Sequence, residues 1–204
     1  MIGLMGAHRC GKTSLAKAFA EKHNIAFVQT GASAVFKDMG LDPATHYDFQ
    51  TRLTVQEEIL RRFDVQYAEI GAKLAITDRT PIDLLAYTMA EAVQQAVPED
   101  QQARFKKYVQ NCIDVTNKRF GVLLVVQPGI KVVAEEGKAA LNDAYIEHLN
   151  SIILGLSVDE RIKAAHFYIP RHMTSLEERL AALDFATERA RKRAETEREG
   201  AVIH

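Results

Sequence analysis

The chain has 204 residues, 47% of them apolar, a length that suits a single α/β domain with or without a small helical insertion. Its 26 Lys and Arg stand against 27 Asp and Glu, a net charge of −1, so no bulk field draws it to nucleic acid or to a membrane surface. No apolar run approaches the ~18 residues of a membrane span, and no basic leader precedes an apolar stretch. A cytoplasmic location without a membrane partner is the expectation.

Met1-Ile2-Gly3-Leu4-Met5 reads as a short buried strand. Gly6-Ala7-His8-Arg9-Cys10-Gly11-Lys12-Thr13 follows it and fits G-x-x-x-x-G-K-[ST] without a gap. Each fixed position has work to do on a polyphosphate. The glycines let the backbone turn its N–H groups inward, Lys12 reaches the β/γ oxygens, and the Thr13 hydroxyl is placed to ligate Mg²⁺. Ser14-Leu15-Ala16-Lys17-Ala18-Phe19-Ala20 continues as a helix whose N-terminus faces the anion. Residues 6–14 are thus the expected ATP-binding stretch. A disulfide at Cys10 would disrupt such a loop, and Cys112 is the only other cysteine, which favours a reducing compartment.

Residues 24–30 read as a second strand ending at Gly31, and a short helix over 32–39 stops at Gly40. Asp42-Pro43 marks a loop. Leu53, Ile59, Leu60, Phe63, Tyr67 and Ile70 fall on one face of a helix over 52–70. Residues 74–77 form a short third strand, closed by Asp78-Arg79-Thr80-Pro81, and a helix runs from about 84 to 95 until Pro98 breaks it. A further helix covers 101–118. Gly121-Val122-Leu123-Leu124-Val125-Val126 is continuous and β-branched, as a strand buried on both faces requires. After Pro128-Gly129 the stretch 131–140 is poorly patterned, and a mobile lid over about 128–142 is expected. A helix over 143–154 and a strand over 166–169 follow. Ser175-Leu176-Glu177-Glu178 fits a capping box for the last helix, whose Arg, Lys and Glu residues are balanced. Strands alternating with helices predict a three-layer fold with a parallel sheet of about five strands and helices on both faces. Its chemistry belongs at the carboxyl ends of the strands.

Asp78-Arg79 sits at such an end. A carboxylate there suits Mg²⁺ or the proton of an attacking hydroxyl, and an adjacent arginine suits a bidentate grip on phosphate. The seven histidines show no pair at zinc-ligand spacing.

Together, the phosphate loop and Asp78-Arg79-Thr80-Pro81-Ile82-Asp83-Leu84-Leu85-Ala86-Tyr87 resemble the small P-loop nucleoside and nucleotide kinases. They are most similar to the thymidylate-kinase type, whose pattern is D-R-[YF]-x-x-S-x-x-A-[YF]. The loop is also similar to that of bacterial and phage kinase-like P-loop proteins. The resemblance implies a single P-loop kinase domain over 1–204 that uses ATP and Mg²⁺. It implies Lys12, Asp78, Arg9 and Arg79 as the catalytic set, with Thr13 and Asp78 at the metal. Arg9 corresponds to the loop arginine that one branch of thymidylate kinases uses to offset charge on the phosphoryl in flight. Position alone places Arg171 near the adenine.

An acceptor-binding helical segment is expected over about 31–70, with Ser33 and Arg52 within it and Thr30 and Asp83 outside it as acceptor candidates. Tyr47 lies in the same segment, and Asp83 is alternatively the cap of its helix. Gln29-Thr30-Gly31-Ala32-Ser33 replaces the acidic-Pro-Gly signature of thymidylate kinases, and Thr80-Pro81 replaces their aromatic. The acceptor is therefore read as a nucleoside or deoxynucleotide, with a hydroxyl on DNA, such as one on a modified pyrimidine, as the alternative. A monomer and a homodimer are both left open, and an ATPase switch without an acceptor is the rival from another class.

Overall fold

The computed structural model describes residues 1–42, 45–71, 73–94, 97–131 and 142–202. Most of the expected lid over 128–142 lies outside them. In chain order the elements are β1 (Ile2–Met5), α1 (Lys12–His23), β2 (Ala26–Val28), α2 (Ala32–Asp38) and α3 (Phe49–Glu69). These are followed by β3 (Ala75–Thr77), α4 (Pro81–Gln94), α5 (Glu99–Arg119), β4 (Val122–Val126), α6 (Asp143–Ser157), β5 (Ala165–Ile169) and α7 (Leu176–Val202).

The strands form a parallel five-stranded sheet in the order β2-β3-β1-β4-β5. Side chains alternate across it, because successive strand residues point to opposite faces. Ile2 and Leu4 of β1 and Leu124 and Val126 of β4 pack on one face with Leu15 and Phe19 of α1 and Leu183 and Ala186 of α7. Met5, Leu123 and Val125 point the other way, into a layer built from α3, α4, α5 and α6. A strand buried on both faces needs continuous apolar sequence, which is why β4 was so legible.

Several elements differ in their ends from the sequence reading. The second strand shrinks to Ala26–Val28, an edge strand that among the described residues pairs with β3 alone. The helix expected from residue 52 begins at Phe49, because the Asp48 side chain accepts from the Thr51 amide at 2.7 Å and caps it. Ser175 and Glu178 make the reciprocal pair of a capping box, at 3.1 and 3.2 Å.

The chain leaves β1 in one direction toward β2 and β3, and reaches β4 and β5 on the other side. The carboxyl end of β1 is thus the point where strand order reverses, the crevice in which open α/β sheets bind ligands. The loop over residues 6–11 opens there.

Candidate functional site

The loop begins with backbone that a side chain would obstruct. Gly6 has φ 153, and a Cβ at that position would lie 2.5 Å from the Val126 carbonyl oxygen. Gly11 closes the loop at φ 87 and stands at the N-cap of α1, so the first amides of α1 open toward the loop. Arg9 is held at φ 63, a left-handed conformation that costs a non-glycine residue about 1 kcal/mol.

Side chains hold this shape from within and below. Lys12 is 7% exposed and lays its ammonium across the loop, donating to the carbonyls of Gly6 at 2.5 Å and Ala7 at 2.8 Å. Cys10 Sγ donates to the Ala7 carbonyl at 3.0 Å. Asp83, fully buried in the first turn of α4, accepts from the Gly6 amide at 3.0 Å through Oδ1. Its Oδ2 accepts from the Thr80 amide and hydroxyl, each at 2.8 Å. Thr80 therefore occupies the cap position, and Asp83 is the reciprocal acid of the box rather than the cap itself. The carboxylate also lies 4.0 Å from Lys12 Nζ, so Asp83 underpins the loop instead of facing an open cleft.

β3 runs parallel to β1 and delivers Asp78 beside the loop. The Thr13 hydroxyl donates to Asp78 Oδ2 at 2.5 Å. These two oxygens come from separate parts of the chain and converge at one point at the mouth of the loop. Among the described residues no cluster of three His, Cys, Asp or Glu side chains is placed to enclose a metal. A hydroxyl and a carboxylate beside a phosphate-shaped loop still suit Mg²⁺, which keeps most of its waters and takes few protein ligands.

Arg79 follows, half-buried, with its guanidinium 5.6 Å from the centre of the Tyr87 ring. Burial opposes its charge, but Tyr87, Asp83 and Asp78 outweigh that, and its pKa is raised. The turn that carries it is pinned from α3, where buried Tyr67 donates to the Arg79 carbonyl at 2.8 Å. Tyr87 Oη is 3.3 Å from His8 Nδ1, and the rings of His8 and Tyr145 lie 6.0 Å apart. Burial, and then the charges of Lys12, Arg9 and Arg79, lower the pKa of His8.

On the expected acceptor side, Arg52 of α3 stacks between two rings, 5.5 Å from that of Phe36 and 5.4 Å from that of Tyr47. Its Nη2 donates to the Thr45 carbonyl at 2.7 Å, and its Nε lies 3.7 Å from Glu91 Oε1 on α4. Burial raises the pKa of Glu91, while Arg52 and His46 oppose the shift. The second carboxylate oxygen of Glu91 is buried with no hydrogen bond among the described residues, and so is the Thr30 hydroxyl oxygen. Tyr145 of α6 joins this group: burial, with Tyr87 and Glu91 nearby, pushes its phenol up to about 12.

Of the residues singled out in the sequence, the loop set, Thr13, Asp78, Arg79 and Asp83 come together at the ends of β1 and β3. Arg52 stands in a neighbouring cluster with Glu91 and Tyr145. Ser33 is an exposed residue of α2. Arg171 is exposed and forms a two-point pair with Glu147 of α6, at 2.6 Å for each contact. Sequence reading missed Glu91, Tyr145 and Arg179. The first two had no local signal. Arg179 had one: it stands four residues before Leu183 and seven before Ala186, a charge on an apolar stripe.

A family model described as an AAA domain matches residues 1–120, more than half of the chain. The chain belongs to this AAA domain family. No curated protein matches it by sequence. Among solved structures it is similar to deoxyadenosine kinase from M. mycoides. The dCTP-bound form gives a TM-score of 0.64 at 13% identity, over 92% of this chain and 98% of that one. The dATP-bound form gives 0.65 at 13% identity over the same shares. A third form, with products dCMP and dCDP, gives 0.65 at 14%. This AAA domain therefore has the fold of a deoxynucleoside kinase: a P-loop protein with a five-stranded parallel sheet between helical layers. Among the described residues no helix is long and apolar enough to cross a membrane.

Proposed function

We propose that the chain is an ATP-dependent kinase that transfers the γ-phosphoryl group to a hydroxyl of a nucleoside or deoxynucleotide-type acceptor. The observation that carries this reading is the meeting of Thr13 and Asp78 at 2.5 Å, beside Lys12 and next to Arg79. Phosphoryl transfer asks little covalent chemistry of a protein; it asks for positioning and for positive charge around the moving group. Loop amides and Lys12 grip the β and γ oxygens. Thr13 and Asp78 would hold Mg²⁺, which when bound neutralises phosphate charge. Arg79 and Arg9 supply the remaining cations, and removal of such a group typically costs 10²–10³ in rate.

Arg52 and Glu91 argue for the class of acceptor. A lone arginine would suit an acceptor phosphate, but the carboxylate at 3.7 Å offsets its charge. The pair, flanked by Tyr47, Phe36 and Tyr145, suits a neutral ring with both donors and acceptors on its edge. A nucleoside fits that better than a nucleotide. The shared fold makes deoxynucleosides the first acceptors to try.

The alternative, a hydroxyl on DNA, calls for a basic groove. The final helix does not favour one: Arg191 pairs with Glu188 and Glu195, Arg193 with Glu197, and Lys192 with Glu188. Radiolabelled ATP incubated with nucleosides, nucleotides and duplex DNA tests the reading. Label on a nucleoside supports it, and label on DNA alone moves the acceptor to a polymer. ATP hydrolysis that no acceptor alters points to an ATPase switch.

A further inference from the structure

The phosphate loop is braced from both faces of the sheet, and the two braces carry opposite charge. Asp83 holds it from the α4 side. From the opposite layer Arg179, in the first turn of α7, reaches the back of the loop and is only 2% exposed. Its Nη1 donates to the Cys10 carbonyl at 2.7 Å, and its Nε donates to the Met173 carbonyl at 2.7 Å. Gly11 lies so close that a Cβ there would be 3.1 Å from Nη1. The remaining nitrogen, Nη2, is buried without a hydrogen-bond partner among the described residues.

This is a costly place for a cation. A buried guanidinium stays charged, and its desolvation costs several kcal/mol unless an anion compensates. Here its hydrogen-bond partners are two neutral carbonyls. Arg179 also sits in the first turn of α7 and against the N-cap of α1 at Gly11, and both helix starts carry partial positive charge. Burial accordingly lowers its pKa. Glu178, itself bonded to Ser175, offsets part of this charge, but among the described residues no carboxylate hydrogen-bonds the guanidinium, and the loop in front of it is shaped to take an anion.

We propose that Arg179 is a positioning residue for the donor, adding positive potential behind the 6–13 loop and tying Cys10 to the Met173 carbonyl so that a polyphosphate finds the loop already formed. The inference rests on reading that loop as the triphosphate site. It also accounts for a charge on an otherwise apolar helix stripe. Arg179 touches no substrate in this scheme; it acts through the loop.

The test is calorimetric titration of the whole chain with tripolyphosphate and with pyrophosphate, comparing wild type with Arg179→Met and Arg179→Lys. Met fills the space without the charge, so tripolyphosphate affinity is expected to fall about tenfold and pyrophosphate affinity by less. Lys restores the charge but not the fork that spans both carbonyls, so affinity falls by less than in Met and stays within about threefold of wild type. Equal affinity in wild type and Met overturns the proposal, and so does an equal loss in Met and Lys, which would mark a purely structural contact. Should Met fail to fold in a thermal melt, Arg179→Gln replaces it. Should Gln fail too, Lys carries the test, and a tenfold loss there overturns the role of charge. Failure of the wild type to bind tripolyphosphate is a different result: it removes the triphosphate reading of the loop.

Discussion

The phosphate loop runs through consecutive residues, 6–13, whereas the neighbouring cluster proposed for the acceptor is assembled from Phe36, Tyr47, Arg52, Glu91 and Tyr145 on separate parts of the chain. Within the loop Lys12 and Cys10 bond loop carbonyls, and Asp83 of α4 accepts from the Gly6 amide. In the cluster one Glu91 carboxylate oxygen is buried with no hydrogen bond among the described residues. A triphosphate is the same in every donor, so one local solution serves. An acceptor has particular edges, and the side chains that read them come from wherever the fold brings them.

The sharpest way to break this contrast is to empty the loop. Lys12→Ala is expected to lower phosphoryl transfer about 10²–10³-fold while circular dichroism still shows a folded chain. Full activity would detach the loop from the chemistry. Asp83→Ala tests whether that carboxylate supports the loop or meets the acceptor. It leaves the Gly6 and Thr80 amides and Lys12 without their anion, so urea unfolding should show a loss of about 3 kcal/mol. Unchanged stability with a raised acceptor KM would move Asp83 into the acceptor site. Arg52→Met should raise the acceptor KM about tenfold and leave the ATP KM within about twofold, because it removes a charge-assisted contact on one side only. A matching rise in both would mean that the two sides are not separate.

The smallest effect concerns His8, which stands between them. Its folded pKa lies below the ordinary value of 6.5, so at mildly acidic pH the unfolded chain binds a proton that the folded chain refuses. Stability then falls as pH drops through 6.5 toward the folded value and recovers as pH rises. His8→Gln should flatten that part of the curve between pH 7 and pH 5. Parallel curves for the two proteins would show that the cationic surroundings of His8 are not felt.

What could be read from the residues follows the same division. β4 and the motif over 6–13 were legible because burial on both faces and a tight phosphate turn each demand particular residues at consecutive positions. Asp78-Arg79 was legible from its place after a strand. The role of Asp83 was only half visible: Thr80-x-x-Asp83 is the spacing of a capping box, yet its bond to Gly6 spans 77 positions of sequence and depends on α4 packing beneath the loop. Arg171 was placed by its distance from the last strand alone. It pairs with Glu147, which nothing near it in the chain announces. The partnership of Arg52 with Glu91 is equally long-range, set by α3 packing against α4.

The central claim is that residues 6–13 enclose the tail of a nucleoside triphosphate with Asp78 beside its metal. Titration of ATP into the wild-type chain and into Asp78→Asn, each with and without Mg²⁺, addresses it directly. Uptake strengthened by Mg²⁺ in the wild type, with that strengthening lost in Asp78→Asn, is the predicted result. Binding that ignores Mg²⁺ in both proteins, or no binding by the wild type at all, would contradict it.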